Sequence, residues 1–507
     1  MQMINNIHPD RIRLAADSYR PAFHYLPPCN WMNDPNGTIY WKGRYHLFYQ
    51  YNPDGPWHGN IHWGHASSEN LVHWVDHPIS LIPGPEGPDR QQCYSGAAFV
   101  NKDGIPTHIY HGVPDGICLA TSTDDLLLDW EKHPANPVIP LPKEGDPGYG
   151  LYHVWDTCGW VDGDTYYSIS GNKPHTPPET EGDVAFLFKS SDLVDWEYVH
   201  PFYESDRRWT AADEDCSCPD FFPLGDKHVL MFISHNKGTQ YYIGRYEGEK
   251  FYPERHGRLN WPGGPSFAQE SLLDAKGRRI FWAWLCESRT REAQFSSGWS
   301  GVMSLPRVIS LADDGTLRID PVEELPALRQ NHRQRRDLAL ADGAEQGLEE
   351  VAGDCLELVL DIEPPGAGVC GIKVRCSPDG QEQTAIIFDA ANETLTIDTT
   401  RSSLSPAVFQ PWPIPQAAFH PELLDGSVDD VRVQEAPLAL APGERLHLRI
   451  FLDCSVIEVF ANGCQCLTQR IYPTRSDSLG IALFSRGGRS LVKSLDAWDL
   501  AAINGYL

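Results

Sequence analysis

Acidic and hydroxyl side chains recur at one place relative to a repeated turn. Asp34 lies nine residues before Gly43, Ser95 nine before Gly104, Asp156 seven before Gly163, Ser217 eight before Gly225 and Glu270 seven before Gly277. Three of the five are carboxylates, and Asp220 and the run Asp213-Glu214-Asp215 stand beside the fourth position. A single Asp or Glu is by default a surface charge. Carboxylates repeated at one position ahead of apolar strands are instead placed to face one another. Facing carboxylates among Trp and Tyr suit glycosidic cleavage: one attacks or activates water, and a second, with raised pKa, protonates the leaving oxygen. The aromatic rings supply a stacking surface for a sugar.

The elements that must carry these residues are hairpins. Alternating apolar residues flank Gly43, Gly104, Gly163, Gly225 and Gly277, and these glycines follow one another at intervals of 61, 59, 62 and 52 residues. Such alternation across a Gly turn predicts a β-hairpin. A second pattern is interleaved: Ser68 to Trp74, Asp124 to Trp130 and Ser191 to Trp196 each follow a short apolar strand and end in Trp. One hairpin plus one strand-and-turn per interval makes a four-stranded blade, and repetition about an axis protects the sheet edges. The expectation is an all-β chain with a five-bladed β-propeller over 1–320. A polar stretch over 321–345 (Glu323-Glu324, Arg329, Arg333, Arg335-Arg336) is read as a linker or helix, and 346–507, where alternation returns without the period, as a β-sandwich.

Composition narrows the partners. The 507 residues carry 41 Lys+Arg against 69 Asp+Glu, a formal charge of −28, which disfavours binding to nucleic acid or to an anionic membrane. No window approaches the ~20 apolar residues of a membrane span. The first twenty residues hold no apolar run of signal-peptide length, and the 13 Cys are odd in number and scattered, so a reducing, cytoplasmic setting is expected. The Cys216/Cys218 and Cys464/Cys466 pairs lack a second pair at zinc-ligand spacing, and no HExxH occurs. The expected partner is a carbohydrate, with no metal or cofactor required. The second domain is left open between a passive support, a contact for self-association and a binding module. Its Asp453 and Glu458 are read as strand-end charges.

The motifs then resemble those of a known family. Asn30-Trp31-Met32-Asn33-Asp34-Pro35-Asn36-Gly37, Phe48-Tyr49-Gln50-Tyr51-Asn52-Pro53, His62-Trp63-Gly64-His65-Ala66, Tyr94-Ser95-Gly96, the segment Gly298 to Arg307 and the segment Phe451 to Phe460 are similar, in order, to motifs of glycoside hydrolase family 32. That family acts on β-fructofuranosides and includes invertases, levanases, inulinases and fructosyltransferases. The resemblance implies a propeller followed by a sandwich, with Asp34 as the nucleophile of a retaining reaction. It implies a furanose pocket lined by Asn33, Gln50, Trp63, Tyr94 and Ser95, and a transition-state role for Asp156. Two departures fall in this set. The family's Arg-Asp-Pro reads Trp155-Asp156-Thr157, and its Glu-Cys-Pro-Asp reads Ser217-Cys218-Pro219-Asp220, so the acid/base Glu is replaced by Ser217. A serine hydroxyl is no proton donor near neutral pH. Trp155, Ser217 and Asp220 are retained as sugar contacts. Glu270 is taken first as the replacement acid, within ~5–5.5 Å of Asp34, and Asp215 second. The alternatives are a sugar-binding pseudoenzyme, a fructosyltransferase and an arabinofuranosidase-like enzyme.

Overall fold

The computed structural model describes residues 8–173, 178–413 and 428–503. Its first part is five antiparallel sheets, each built on a four-stranded meander. The innermost strands are Asn30–Trp41, Gln92–Val100, Thr157–Asp162, Ser217–Leu224 and Ser266–Leu273. Each touches the next, and the fifth touches the first, so the sheets stand as blades around a closed ring. Closure is reinforced where Trp299–Ser300, from the end of the propeller sequence, pairs in parallel with Asn30 and Trp31 of blade 1. All five turn glycines have positive φ, between 56° and 84°, as the tight hairpins need. The interleaved motif is a second repeated turn: Leu71, Leu127 and Leu193 adopt φ of 63°, 57° and 71°. Their strain is offset by Asn70, Asp124 and Asp192, whose side chains accept from backbone N–H groups of the turn.

Four of the five inner strands carry a bulge at the same end. The register shifts between Met32 and Pro35, Cys93 and Gly96, Ser217 and Asp220, and Phe267 and Gln269. Only the inner strand of blade 3 pairs without a break. A bulge re-aims a side chain and bends the strand. Here it turns Asp34, Ser95 and Cys218 toward the channel mouth, while in blade 5 the bulged position is Ala268, with φ of 40°.

The second part packs two six-stranded sheets face to face. Leu356, Leu358, Leu360 and Ile362 of one sheet meet Ile372, Val374 and Ile386 of the other in a dry core. The stretch read as a linker is part of this sandwich. After a single 3₁₀ turn, Leu325–Leu328, the strand Arg329–Leu340 pairs along its length with Ser490–Leu500. It is an edge strand with most of its side chains in water, and its arginines meet Asp496, Asp499 and Glu357. Charge on an edge strand blocks further pairing, which is why its sequence imitates a linker.

The domains meet through buried charge. Asp453 accepts from the backbone N–H of Ala22, Phe23 and His24 and from His24 Nδ1 at 2.6–2.8 Å. Glu458 accepts from Leu305 N and Arg307 Nη2 and contacts His24 Nε2. Both carboxylates are fully buried, so they are interdomain clamps and not strand-end charges.

Candidate active site

Asp34 sits at the bulge of blade 1 with its carboxylate held from behind. Ser95 Oγ donates to Oδ2 at 2.6 Å and Asn33 Nδ2 to Oδ1 at 3.2 Å. Gln50 ties these donors together, accepting from Asn33 Nδ2 at 2.7 Å and donating to Ser95 Oγ at 2.6 Å. Asn33 is fixed in turn by Trp31 Nε1 at 2.8 Å. Asn33, Gln50 and Ser95 are therefore almost wholly buried; they orient the carboxylate more than they line a pocket. Trp63 is farther removed. Its ring is completely buried against Phe48, His108 and Tyr110, and its indole N–H is spent on the Tyr94 carbonyl, so it supports the site as core. The expectation that it lines the pocket is corrected accordingly.

Asp156 faces Asp34 across one sulfur. The Cys218 thiol lies 3.5 Å from Asp34 Oδ2 and 3.3 Å from Asp156 Oδ2, and Cys218 N points at the same Asp156 oxygen. Burial and the two carboxylates push the Cys218 thiol well above its usual range, so it stays a protonated donor. No Lys or Arg pairs with either carboxylate among the described residues. Burial therefore raises Asp34, against the hydrogen bonds from Ser95, Asn33 and Cys218. Burial and then the charge of Asp34 lift Asp156 to about 7. The missing Arg of the motif would have opposed that rise; Trp155 cannot.

Trp155 and Ser217, the two departures, touch each other: Trp155 Nε1 donates to Ser217 Oγ at 3.0 Å. Tyr94 and His111 meet the Trp155 ring edge-on, and the Lys173 ammonium lies 4.2 Å from its centroid, which together form an aromatic rim. Ser217 Oγ passes the chain on to Asp215 Oδ2 at 2.8 Å, and that same oxygen takes His235 Nδ1 at 2.6 Å. Asp215 is fully buried and has both oxygens engaged, the second by His235 N at 2.8 Å. It is a support for other groups and is not free to meet a substrate as an acid.

Glu270 is not beside Asp34. Its Oε2 accepts from Thr38 N at 3.2 Å, four residues farther along the strand that bears Asp34. A strand climbs about 3.3 Å per residue, and Asp34 is not among the residues lining the cavity that Glu270 faces, so the two carboxylates stand on different levels of the channel. Asp220 lies at this deeper level too, accepting from Ser271 Oγ at 2.6 Å. Both line an inner cavity of about 390 Å³ with Arg279 and Trp160. Burial and the nearby Asp220 raise Glu270 well above the usual range, as expected from its surroundings, but without giving it access to Asp34. The turn explains the error in counting: Gly277 stands four residues beyond the last paired residue, Leu273, whereas Gly163 directly follows the paired Asp162, and the bulged residue of blade 5 is Ala268. Cys218, between the two carboxylates, and His235, on Asp215, join this arrangement and were not among the expected site residues. The sequence carried no signal for His235, because an unbroken count from the Leu224–Lys227 pair sets Asn236 opposite Asp215, and the register shift between Ser217 and Asp220 brings His235 there instead.

Comparison with known proteins identifies the family. Residues 24–321 match the glycosyl hydrolases family 32 N-terminal domain, and residues 324–499 the glycosyl hydrolases family 32 C-terminal domain. The chain is 31% identical to a sucrose-6-phosphate hydrolase of Zymomonas mobilis, over 97% of this chain and 94% of that protein. It is 30% identical to a fructan 6-exohydrolase of Beta vulgaris, over 96% and 87% respectively. The crystal structure of fructan 1-exohydrolase IIa from Cichorium intybus superposes with a TM-score of 0.83 at 26% identity, covering 96% of this chain and 98% of that one. With both of its domains matched in order, this chain belongs to glycosyl hydrolase family 32.

Proposed function

We propose that the protein is a retaining β-fructofuranosidase that releases fructose from sucrose, fructo-oligosaccharides or fructans, with Asp34 as nucleophile. The observation that carries this reading is the Asp34 carboxylate itself: buried, fixed by Ser95, Asn33 and Gln50, and paired with no Lys or Arg among the described residues. A carboxylate held only by neutral donors keeps its lone pair available for attack at an anomeric carbon, where a salt-bridged one would not. Asp156, opposite it, is placed to hold sugar hydroxyls, and the Tyr94–Trp155 rim to stack on the ring. Hydrolase relatives that act on sucrose-6-phosphate and on fructans support the fructofuranosyl class. The thirteen free cysteines support a reducing, cytoplasmic setting.

The test is release of fructose from sucrose by the purified chain, followed by rapid quenching and intact mass measurement. A protein adduct heavier by one fructosyl residue, mapped to Asp34, is the expected result. Inversion at the anomeric carbon, or turnover by Asp34→Asn at the wild-type rate, would overturn the reading.

A further inference from the structure

We propose that His235, oriented by Asp215, protonates the leaving oxygen in the place of the carboxylate that Ser217 lacks. The inference rests on the retaining fructofuranosidase reading above. Its ground is the hydrogen-bonded line Trp155 Nε1 to Ser217 Oγ to Asp215 Oδ2 to His235 Nδ1, at 3.0, 2.8 and 2.6 Å. The two residues that depart from the family motif are its first members, and an imidazole is its end. Replacing Glu by the much shorter Ser opens space at that position, and the line shows which group stands next to it.

The imidazole has the properties the role needs. Asp215 on Nδ1 fixes that nitrogen as the N–H, so the proton that comes and goes is on Nε2, which has no protein partner among the described residues. The ring is one-third exposed although Asp215 beneath it is fully buried, so its free edge looks out of the protein. Phe267 of blade 5 packs edge-on at 5.9 Å and holds the ring plane. The charged groups that act on it are Asp215 of its own blade, Asp156 of blade 3 and Asp34 of blade 1. Burial opposes protonation of the ring, but these three carboxylates outweigh it and raise His235 above its ordinary value. The shift favours the imidazolium, the form that can donate a proton. The other candidates are already occupied: Asp215 by its three hydrogen bonds, and Glu270 by its place at the deeper level.

In the first step a carboxylate oxygen of Asp34 forms a bond to the anomeric carbon while the bond to the leaving oxygen breaks. The bonding pair goes to that oxygen, which takes the proton from His235 Nε2. In the second step neutral His235 takes a proton from water as the water oxygen attacks the anomeric carbon. The ester bond to Asp34 breaks, and carboxylate and imidazolium are restored.

The experiment compares wild type, His235→Gln, Asp215→Asn and Asp34→Asn on sucrose and on β-fructofuranosyl fluoride, whose leaving group needs little help from an acid. His235→Gln is expected to lose ~10²-fold or more in kcat/KM on sucrose and to cleave the fluoride nearly as fast as wild type. Asp215→Asn is expected to shift the basic limb of the sucrose kcat/KM profile to lower pH, since the charge that raises the imidazole is gone. Asp34→Asn should fail on both substrates. Equal losses on the two substrates in His235→Gln, unimpaired sucrose cleavage by it, or an unmoved profile in Asp215→Asn would overturn the assignment. If His235→Gln does not fold, the Asp215→Asn profile decides. Wild-type cleavage of sucrose that does not depend on Asp34 would instead fail the underlying reading, and the two failures are thereby told apart.

Discussion

Two clusters of buried carboxylates in this protein use the same residue types to opposite ends. At the channel mouth, Asp34 and Asp156 face each other and, among the described residues, accept hydrogen bonds only from neutral donors, and burial raises both. At the domain boundary, Glu458 and Glu287 are at least as buried, yet cations surround them. Burial alone would raise Glu458, but Arg307 and His24 hold it below its usual range. Arg289 and Arg470 do the same for Glu287, bringing it down to about 2 despite its burial. Burial is thus common to both regions. At these four carboxylates the presence or absence of a facing guanidinium sets the direction of the shift.

The sharpest way to break this contrast is to remove one acid from each region. Asp34→Asn should lower kcat by several powers of ten while leaving the thermal midpoint unchanged or higher, because a desolvated and unpaired charge is removed. Sucrose turnover and a melting curve on the same sample check both halves. Glu458→Ala should do the reverse. Leaving Arg307 and His24 buried without their partner should cost about 3–5 kcal/mol, read by urea unfolding, with kcat on the surviving folded protein little changed.

Proton linkage gives a third and smaller effect with opposite signs in the two regions. Asp156 ionises at about 7 in the folded chain against 3.8 for the free side chain, so between those values the folded state holds the extra proton. Its contribution to stability therefore falls as pH rises through that window. Glu287, at about 2 against 4.5, contributes stability that is present above 4.5 and lost as pH falls toward 2. Unfolding free energies measured from pH 4 to 7 should fall less steeply in Asp156→Asn than in wild type. The same slope in both would show that Asp156 is not the carboxylate raised by its neighbour. The smallest effect is expected from Glu270→Gln. Standing a level below the nucleophile, it should change kcat/KM on sucrose by less than about tenfold, where loss of a general acid costs 10²–10⁴. A larger loss would return Glu270 to the chemistry.

The inner level shows how far local reading carries. Asp34, Ser95 and Asp156 come to one level because hairpin counting from a Gly turn holds within each blade. The same counting failed at Glu270, since it assumes turns of one length, and Gly277 stands four residues beyond the last paired residue, Leu273, where Gly163 directly follows the paired Asp162. The strand Arg329–Leu340 was missed for a related reason. Its residues bury almost nothing, so its place is set by the backbone of Ser490–Leu500 and not by its own pattern. Asp453 and Glu458 were read as exposed because the partners that justify their burial, His24 and Arg307, lie hundreds of residues and some 150 residues away in the chain.

By itself the sequence determined the repeats, the all-β class, the nucleophile motif and the two departures at Trp155 and Ser217, because period-two patterning, turn glycines and contiguous motifs are properties of neighbouring residues. Tertiary structure decided which carboxylates share a level, that Trp63 is core, that Trp155 and Ser217 are bonded to each other, and that the line ends on His235. These depend on where bulges fall in four of the five inner strands and on how the blades close around their axis. Both are set by packing between segments far apart in the chain, and no local pattern encodes that packing.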